Sequence, residues 1–213
     1  MTLRGLYVIT PDDADEARFL ERVGRALEGA GEGHWAALQY RNKLADAAVR
    51  PRQAGAVAKL ARRWGVRMIV NDDVDLACAL GADGVHLGAD DGSLAAARRR
   101  LPGKLIGATC HDSIASARAA IAEGADHVAF GSVFASRTKP RAVRAPLALF
   151  AEARALGVPL VAIGGIDADN AAQVIRAGAD AIAVIAAIFD APDPALRARE
   201  LARLFHSTRA TPS

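Results

Sequence analysis

Ile69–Asp91 reads I-V-N-D-D-V-D-L-A-C-A-L-G-A-D-G-V-H-L-G-A-D-D and sets two strand-like runs and two acidic clusters within one short unit. Met68–Val70 is apolar and stops at Asn71-Asp72-Asp73; Gly84–Leu87 stops at Gly88 and then Asp90-Asp91. Between them Leu76, Ala77 and Leu80 recur at helical spacing before Gly81, which predicts a short helix with a glycine C-cap. If the two strands are parallel neighbours, their acidic ends lie side by side. Such a cradle suits a hard divalent cation, which takes oxygen ligands and is often held by one or two carboxylates plus substrate phosphates.

The same unit recurs outward in both directions. Upstream, Arg4–Thr10 and Trp35–Tyr40 read as strands, followed by helical spacing from Asp15 and from Asp46 to Trp64, with Pro51 as a start or an interruption. Downstream, strands are predicted at Lys104–Thr109, His127–Gly131, Pro159–Ile163 and Ala181–Ile185. Helices are predicted at Ser93–Arg100, Ser113–Glu123, Pro146–Leu156, Asn170–Ala177 and Pro194–Phe205. Gly-Ala-Asp recurs at Gly81–Asp83, Gly124–Asp126 and Gly178–Asp180, each time between a helix and a strand, with Gly65 and Gly157 in the equivalent place. These glycines are read as left-handed caps that turn helix into strand, without chemistry. Eight strand–helix units in 213 residues, about 27 each, predict an α/β chain folded as a single (β/α)8 TIM barrel over residues 1–206, with 207–213 as a flexible tail. The rival is an open doubly wound sheet. Against it, no G-x-G-x-x-G follows the first strand and no G-x-x-x-x-G-K-[ST] occurs.

Composition excludes several classes. With 52% hydrophobic and 24% charged residues, the chain is of globular type. No apolar run is long enough to span a bilayer, and the first residues lack a signal peptide's apolar core, so the expectation is a cytoplasmic protein without a membrane partner. Net charge is only +3, and the basic run Arg98-Arg99-Arg100 falls in a predicted last helical turn with no aromatic residues interleaved, which argues against nucleic acid. Cys78 and Cys110 stand far apart, and the five histidines show no H-x-x-x-H or H-x-H spacing, so no zinc site is indicated. Nothing in the sequence specifies an oligomeric state.

Polar residues concentrate at the carboxyl ends of the strands: Thr10; Gln39 with Arg41 and Lys43; Asn71 with Asp72; Asp91; Thr109 with His111; Lys139. Strands seven and eight end in Gly164-Gly165 and Ile185-Ala186. In a barrel these ends share the active face, and the loops after strands seven and eight often bind phosphate through backbone N–H groups. The expectation is two anionic pockets on one rim and a small phosphorylated or diphosphorylated substrate. Asp73, Asp75 and Asp90 are read as solvated or capping, His86 as a barrel histidine, and Cys110 as a small buried residue.

Together these motifs resemble the thiamine phosphate synthase family over nearly the whole chain. They are L-R-G-L-Y-V-I-T at Leu3–Thr10, Q-Y-R-N-K at Gln39–Lys43, Asn71-Asp72, G-A-D-G-V-H-L-G with Asp91, I-G-A-T-C-H at Ile106–His111, F-G-S-V-F-A-S-R-T-K-P at Phe130–Pro140, A-I-G-G-I at Ala162–Ile166 and A-V-I-A-A-I at Ala183–Ile188. The resemblance implies two small-molecule substrates: an aminopyrimidine methyl diphosphate and a thiazole ethyl phosphate, joined to thiamine phosphate with release of pyrophosphate. It also implies a dissociative mechanism in which diphosphate leaves before the thiazole nitrogen attacks.

Carried onto this sequence, the resemblance gives Asp72 and Asp91 to Mg2+. It gives Arg41, Lys43, Thr109 and Lys139 to the diphosphate, with Lys139, Thr109 and Arg41 acting on the departing group. Gln39 and Asn71 orient the pyrimidine, while Ser136, Arg137, Thr138, Gly165, Ile185 and Ala186 receive the thiazole phosphate. Ala89 stands where glutamine is frequent, Ala135-Ser136-Arg137 where Pro-Thr-Pro or a similar run is common, and Ala186 where serine is frequent. Two alternatives remain at this point: a thiazole tautomerase-like relative using His111 as base, and a non-catalytic phosphate-binding barrel.

Overall fold

The computed structural model of the chain describes residues 3–32, 34–135 and 143–206. Eight parallel strands close into a barrel in sequence order: β1 Gly5–Ile9, β2 Trp35–Tyr40, β3 Met68–Asn71, β4 Gly84–Leu87, β5 Leu105–His111, β6 His127–Gly131, β7 Leu160–Ile163 and β8 Ala181–Val184. The ring shuts where β1 pairs with β8, Leu6 opposite Ile182 and Val8 opposite Val184. Around it lie α1 Glu16–Leu27, α2 Val49–Arg63, α3 Val74–Leu80, α4 Leu94–Arg100, α5 Ile114–Ala122, α6 Ala148–Ala153, α7 Ala171–Ala177, α8 Ala186–Phe189 and α9 Pro194–Arg203. The open-sheet rival is therefore excluded.

The helix starts are written in the sequence. Asp15, Asp73, Ser93, Ser113 and Asp193 each turn a side-chain oxygen onto an N–H in the first turn of the following helix. Asp46 caps the start of α2 from outside, accepting from Val49 N at 2.8 Å, and Pro51 sits in that first turn, where its missing N–H costs nothing. Helix α8 is the one element that sequence periodicity does not separate from β8.

The recurring Gly-Ala-Asp triplets have more than a turning role. Gly81, Gly124 and Gly178 adopt φ of 58°, 104° and 117°. Each following aspartate then reaches across to the preceding strand. Asp83 accepts from Met68 N at 2.8 Å, Asp126 from Ile106 N at 2.7 Å and Asp180 from Leu160 N at 2.9 Å. The backbone N–H of the same aspartate donates to the carbonyl of that same residue, at 2.8 Å in all three cases. Three reciprocal latches thus fix strand register at the amino-terminal end of the barrel, away from the rim that carries the polar residues.

Two apolar layers result. The larger lies between strands and helices; the smaller fills the inside of the barrel with Tyr7, Ile9, Ile69 and Val161 among small residues such as Ala37, Ala129 and Ala183. Alanine at these inward positions leaves space above the packed layer.

Candidate active site

Two cavities open at the carboxyl ends of the strands. One, of about 680 Å³, is lined by Arg41, Lys43, Asn71, Asp72 and Asp91, with Arg50 at its edge. The other, of about 970 Å³, enters the barrel mouth past Gln39, Thr109, Gly165, Ile185 and Ala186 over apolar walls that include Ile9, Val161 and Ile163. Arg41 and Asn71 line both, so the two spaces meet there. All ten site residues expected from sequence that fall among the described residues line one or both cavities. Ser136, Arg137, Thr138 and Lys139 lie outside the described residues.

The acidic pair has unusual local geometry. Asp72 N–H continues the ladder to His86 O at 2.9 Å, after which Asp73 N–H donates to Asn71 O at 2.7 Å and Asp72 takes φ 64°. This is a three-residue γ-turn of the rare positive-φ kind, and strained backbone of this sort concentrates at functional sites. Asn71 Nδ2 donates to Asp72 Oδ2 at 2.5 Å, while Gly88 N–H donates to Asp91 Oδ2 at 3.0 Å. Burial pushes the Asp72 carboxyl up to about 6; the hydrogen bond to Asp91 and that group's charge add to the rise, and Lys43 and Asn71 oppose it. Two carboxylates facing one another in this way favour a cation between them. Asp73 is the α3 cap and Asp75 pairs with Arg100 at 2.5 Å, so neither competes for that role.

The loop after β1 holds the Arg41 guanidinium and the backbone of Lys43. Thr10 Oγ1 donates to Arg41 O at 2.7 Å and accepts from Arg41 N at 2.8 Å. Asp12 accepts from the Arg41 guanidinium at 2.8 Å and from Lys43 N at 2.6 Å. The sequence reading did not single out Asp12. Its signal was available: an acidic residue on the same rim as Q-Y-R-N-K.

Inside the mouth, Gln39 Nε2 donates to Tyr7 Oη at 3.1 Å, and His86 Nε2 shares a hydrogen bond of 2.9 Å with Thr109 Oγ1. His127 lies 5.7 Å from His86 and 6.2 Å from Tyr7, ring to ring. Burial drives the His86 imidazole down to about 4 and the His127 imidazole down to about 3, so both are neutral. Gly107 makes room for them, since a Cβ there would stand 2.4 Å from His86 Nδ1 and 2.3 Å from His127 Nε2. Tyr7 and His127 were missed from sequence. His86 is the barrel histidine expected, and Cys110, its thiol pushed up to about 11 by burial, is the small buried residue expected.

At the far end of the larger cavity, Gly164 and Gly165 have φ 102° and 66°. A Cβ on Gly164 would stand 2.1 Å from Ser132 Oγ, and one on Gly165 would stand 2.3 Å from Ala135 O, so only glycine admits the loop after β6. That loop is tied down by Val133 N to Ile163 O and Phe134 N to Gly164 O, both 3.0 Å. Beside it, the four residues of α8 begin at Ala186, and the first N–H groups of any helix lack intrahelical partners.

Residues 6–188 match the family model described as thiamine monophosphate synthase. The thiamine-phosphate synthase of Chromobacterium violaceum is 57% identical over 204 residues, covering 95% of this chain and 97% of that protein. That of Methylobacillus flagellatus is 55% identical over 205 residues, covering 96% of each. Among solved structures, thiamine phosphate pyrophosphorylase from Pyrococcus furiosus aligns with a TM-score of 0.84 at 34% identity, covering 98% of each chain. On the length of the matched region and the identity of these relatives, the chain belongs to the thiamine monophosphate synthase family, transferases of thiamine biosynthesis.

Proposed function

We propose that the chain transfers the 4-amino-2-methylpyrimidin-5-ylmethyl group from its diphosphate to the nitrogen of a thiazole ethyl phosphate, giving thiamine phosphate and pyrophosphate. The observation that carries this reading is the meeting of two unlike cavities at Arg41 and Asn71: one acidic and cationic, the other apolar-walled with a glycine and helix-start end. A diphosphate fits the first, and two heteroaromatic rings with a terminal phosphate fit the second.

Asp72 and Asp91 fit a magnesium ion. They are two carboxylates on neighbouring strand ends, and no group of three or more His, Cys, Asp or Glu side chains gathers among the described residues. Mg2+ is commonly held by one or two carboxylates, keeping its other positions for waters and substrate phosphates. When bound, it supplies positive charge to the diphosphate oxygens.

The chain's own residues do the rest. Arg41, Lys43 and Thr109, with Lys139, donate to the diphosphate and stabilise the charge that grows on it as its bond to the methylene carbon breaks. Gln39, its Nε2 engaged by Tyr7, presents Oε1 to the pyrimidine amino group, and Asn71 orients the ring beside the carboxylates. Gly165, Ile185 and Ala186, with Ser136, Arg137 and Thr138, hold the thiazole phosphate so that its ring nitrogen faces the same carbon, a proximity effect. No protein nucleophile is needed. Both substrates are charged phosphates that do not cross membranes unaided, which supports a cytoplasmic location; no helix among the described residues is long and apolar enough to cross one.

Turnover of Asp72→Ala and Asp91→Ala, measured across Mg2+ concentration, tests the assignment. Each variant is expected to lose about 100-fold or more in kcat/KM, the scale of losing transition-state charge stabilisation. Unchanged turnover at limiting Mg2+ would remove that residue from the metal site.

A further inference from the structure

The two phosphate-binding ends of the site come from opposite sides of β1, one from the loop after β2 and the other from α8. A single buried carboxylate lies between them. The Asp13 side chain is 2% exposed and accepts from Arg18 Nε at 2.7 Å and Nη2 at 2.6 Å. Its main chain is gripped by Asn42, which accepts from Asp13 N at 3.2 Å and donates to Asp13 O at 2.7 Å. Asn42 is the residue between Arg41 and Lys43, and it also donates to Gln53 Oε1 at 3.0 Å, which anchors it to α2.

On its other side Asp13 faces Arg22, 3.5 Å from Oδ2. Arg22 extends along α1 to donate through Nη2 to Phe189 O at 2.6 Å, and its guanidinium lies 5.6 Å from the centre of the Phe189 ring. Phe189 is the last residue of α8. A helix of four residues is far below the length that holds itself together in water; the carbonyls of Ala186 and Ile188 accept from Asp190 N and Ala191 N, and that of Phe189 accepts from Arg22. A cation at its C-terminus both satisfies a carbonyl and opposes the helix dipole. The direction of the Ala186 N–H therefore depends on what grips Phe189.

We propose that Arg22 is a positioning residue for the thiazole phosphate. Anchored on Asp13, it holds α8 so that the Ile185 and Ala186 N–H groups face the phosphate, and it ties that subsite mechanically to the loop that carries Arg41 and Lys43. This rests on the reading of the reaction given above. Arg18 holds the Asp13 carboxyl down at about 2, so the strut stays ionised through neutral pH and is not a pH switch.

Steady-state kinetics on Arg22→Met, which keeps the packing stem and removes the donors, tests the strut. The KM for thiazole phosphate is expected to rise about tenfold, the scale of one charge-assisted hydrogen bond. The KM for the pyrimidine diphosphate and inhibition by pyrophosphate should stay within about twofold. Arg22→Lys should recover part of the loss, and it carries the test alone if Arg22→Met does not fold. A lower melting temperature with both KM values unchanged, or an equal rise in both, overturns the strut while leaving the reaction intact. A wild-type enzyme that makes no thiamine phosphate overturns both.

Discussion

At the scale of single residues, the mouth of the barrel combines one strained carboxylate with two neutral imidazoles. The strain at Asp72 aims an acid at Asp91; the neutrality of His86 and His127 is imposed by burial, and it makes the fold sensitive to acid. Unfolded histidine titrates near 6.5, whereas these two hold no proton in the folded state until about 4 and about 3. Below 6.5 the unfolded chain binds more protons than the folded one, so stability falls as pH drops toward those values. The expected slope is about 1.4 kcal/mol per pH unit for each histidine. Urea denaturation at a series of pH values from 7 to 4.5 should show this loss, opposed below about 6 by Asp72, whose raised carboxyl takes up its proton earlier in the folded chain than in the unfolded one, and His127→Phe should make the acid limb clearly shallower. An acid limb as steep in His127→Phe as in the parent would mean that His127 is not buried neutral. The sequence made His86 legible as a barrel residue, because it lies inside an apolar strand. It hid Tyr7 and His127, because strands covered on both faces lose the alternation that tells inward from outward.

At the scale of elements, strand and helix boundaries were legible because caps and glycines mark them. The eight strands fall within a residue or two of their expected ends, but the latches were not foreseen. Glycine, alanine and aspartate between helix and strand read as a turn, and nothing local shows that the aspartate spans to a residue 15 or 20 positions earlier. Asp180→Ala should leave the Leu160 N–H without its carboxylate and cost about 1–3 kcal/mol of stability, measured by denaturant melts, with kcat/KM per folded molecule unchanged. A loss of turnover without loss of stability would instead tie this end of the barrel to the chemistry. Helix α8 was hidden for a related reason: Ile185-Ala186-Ala187 continues the apolar run of β8, and its four-residue length is set by tertiary partners such as Arg22 rather than by its own spacing.

At the scale of the whole molecule, the division of labour follows the barrel axis. Register latches and the glycines that end the helices occupy the amino-terminal end, while every described candidate for binding sits around two cavities at the other. That split explains why much of the site could be read from sequence. Polar residues at strand ends must converge on one rim once the chain closes as a barrel, so position alone selects them. What position could not supply is the support beneath them: Asp12 under the cations, Asp13 between the two loops, and the small residues that leave the barrel mouth open. If the two cavities work together as one transferase site, product formation from both substrates reports it without further assumption. With Mg2+ present, thiamine phosphate and pyrophosphate should appear in equal amounts, and chelation of the metal should abolish both. Failure to form thiamine phosphate with Mg2+, accompanied by isomerisation of the thiazole compound without it, would make the chain a tautomerase and not a transferase.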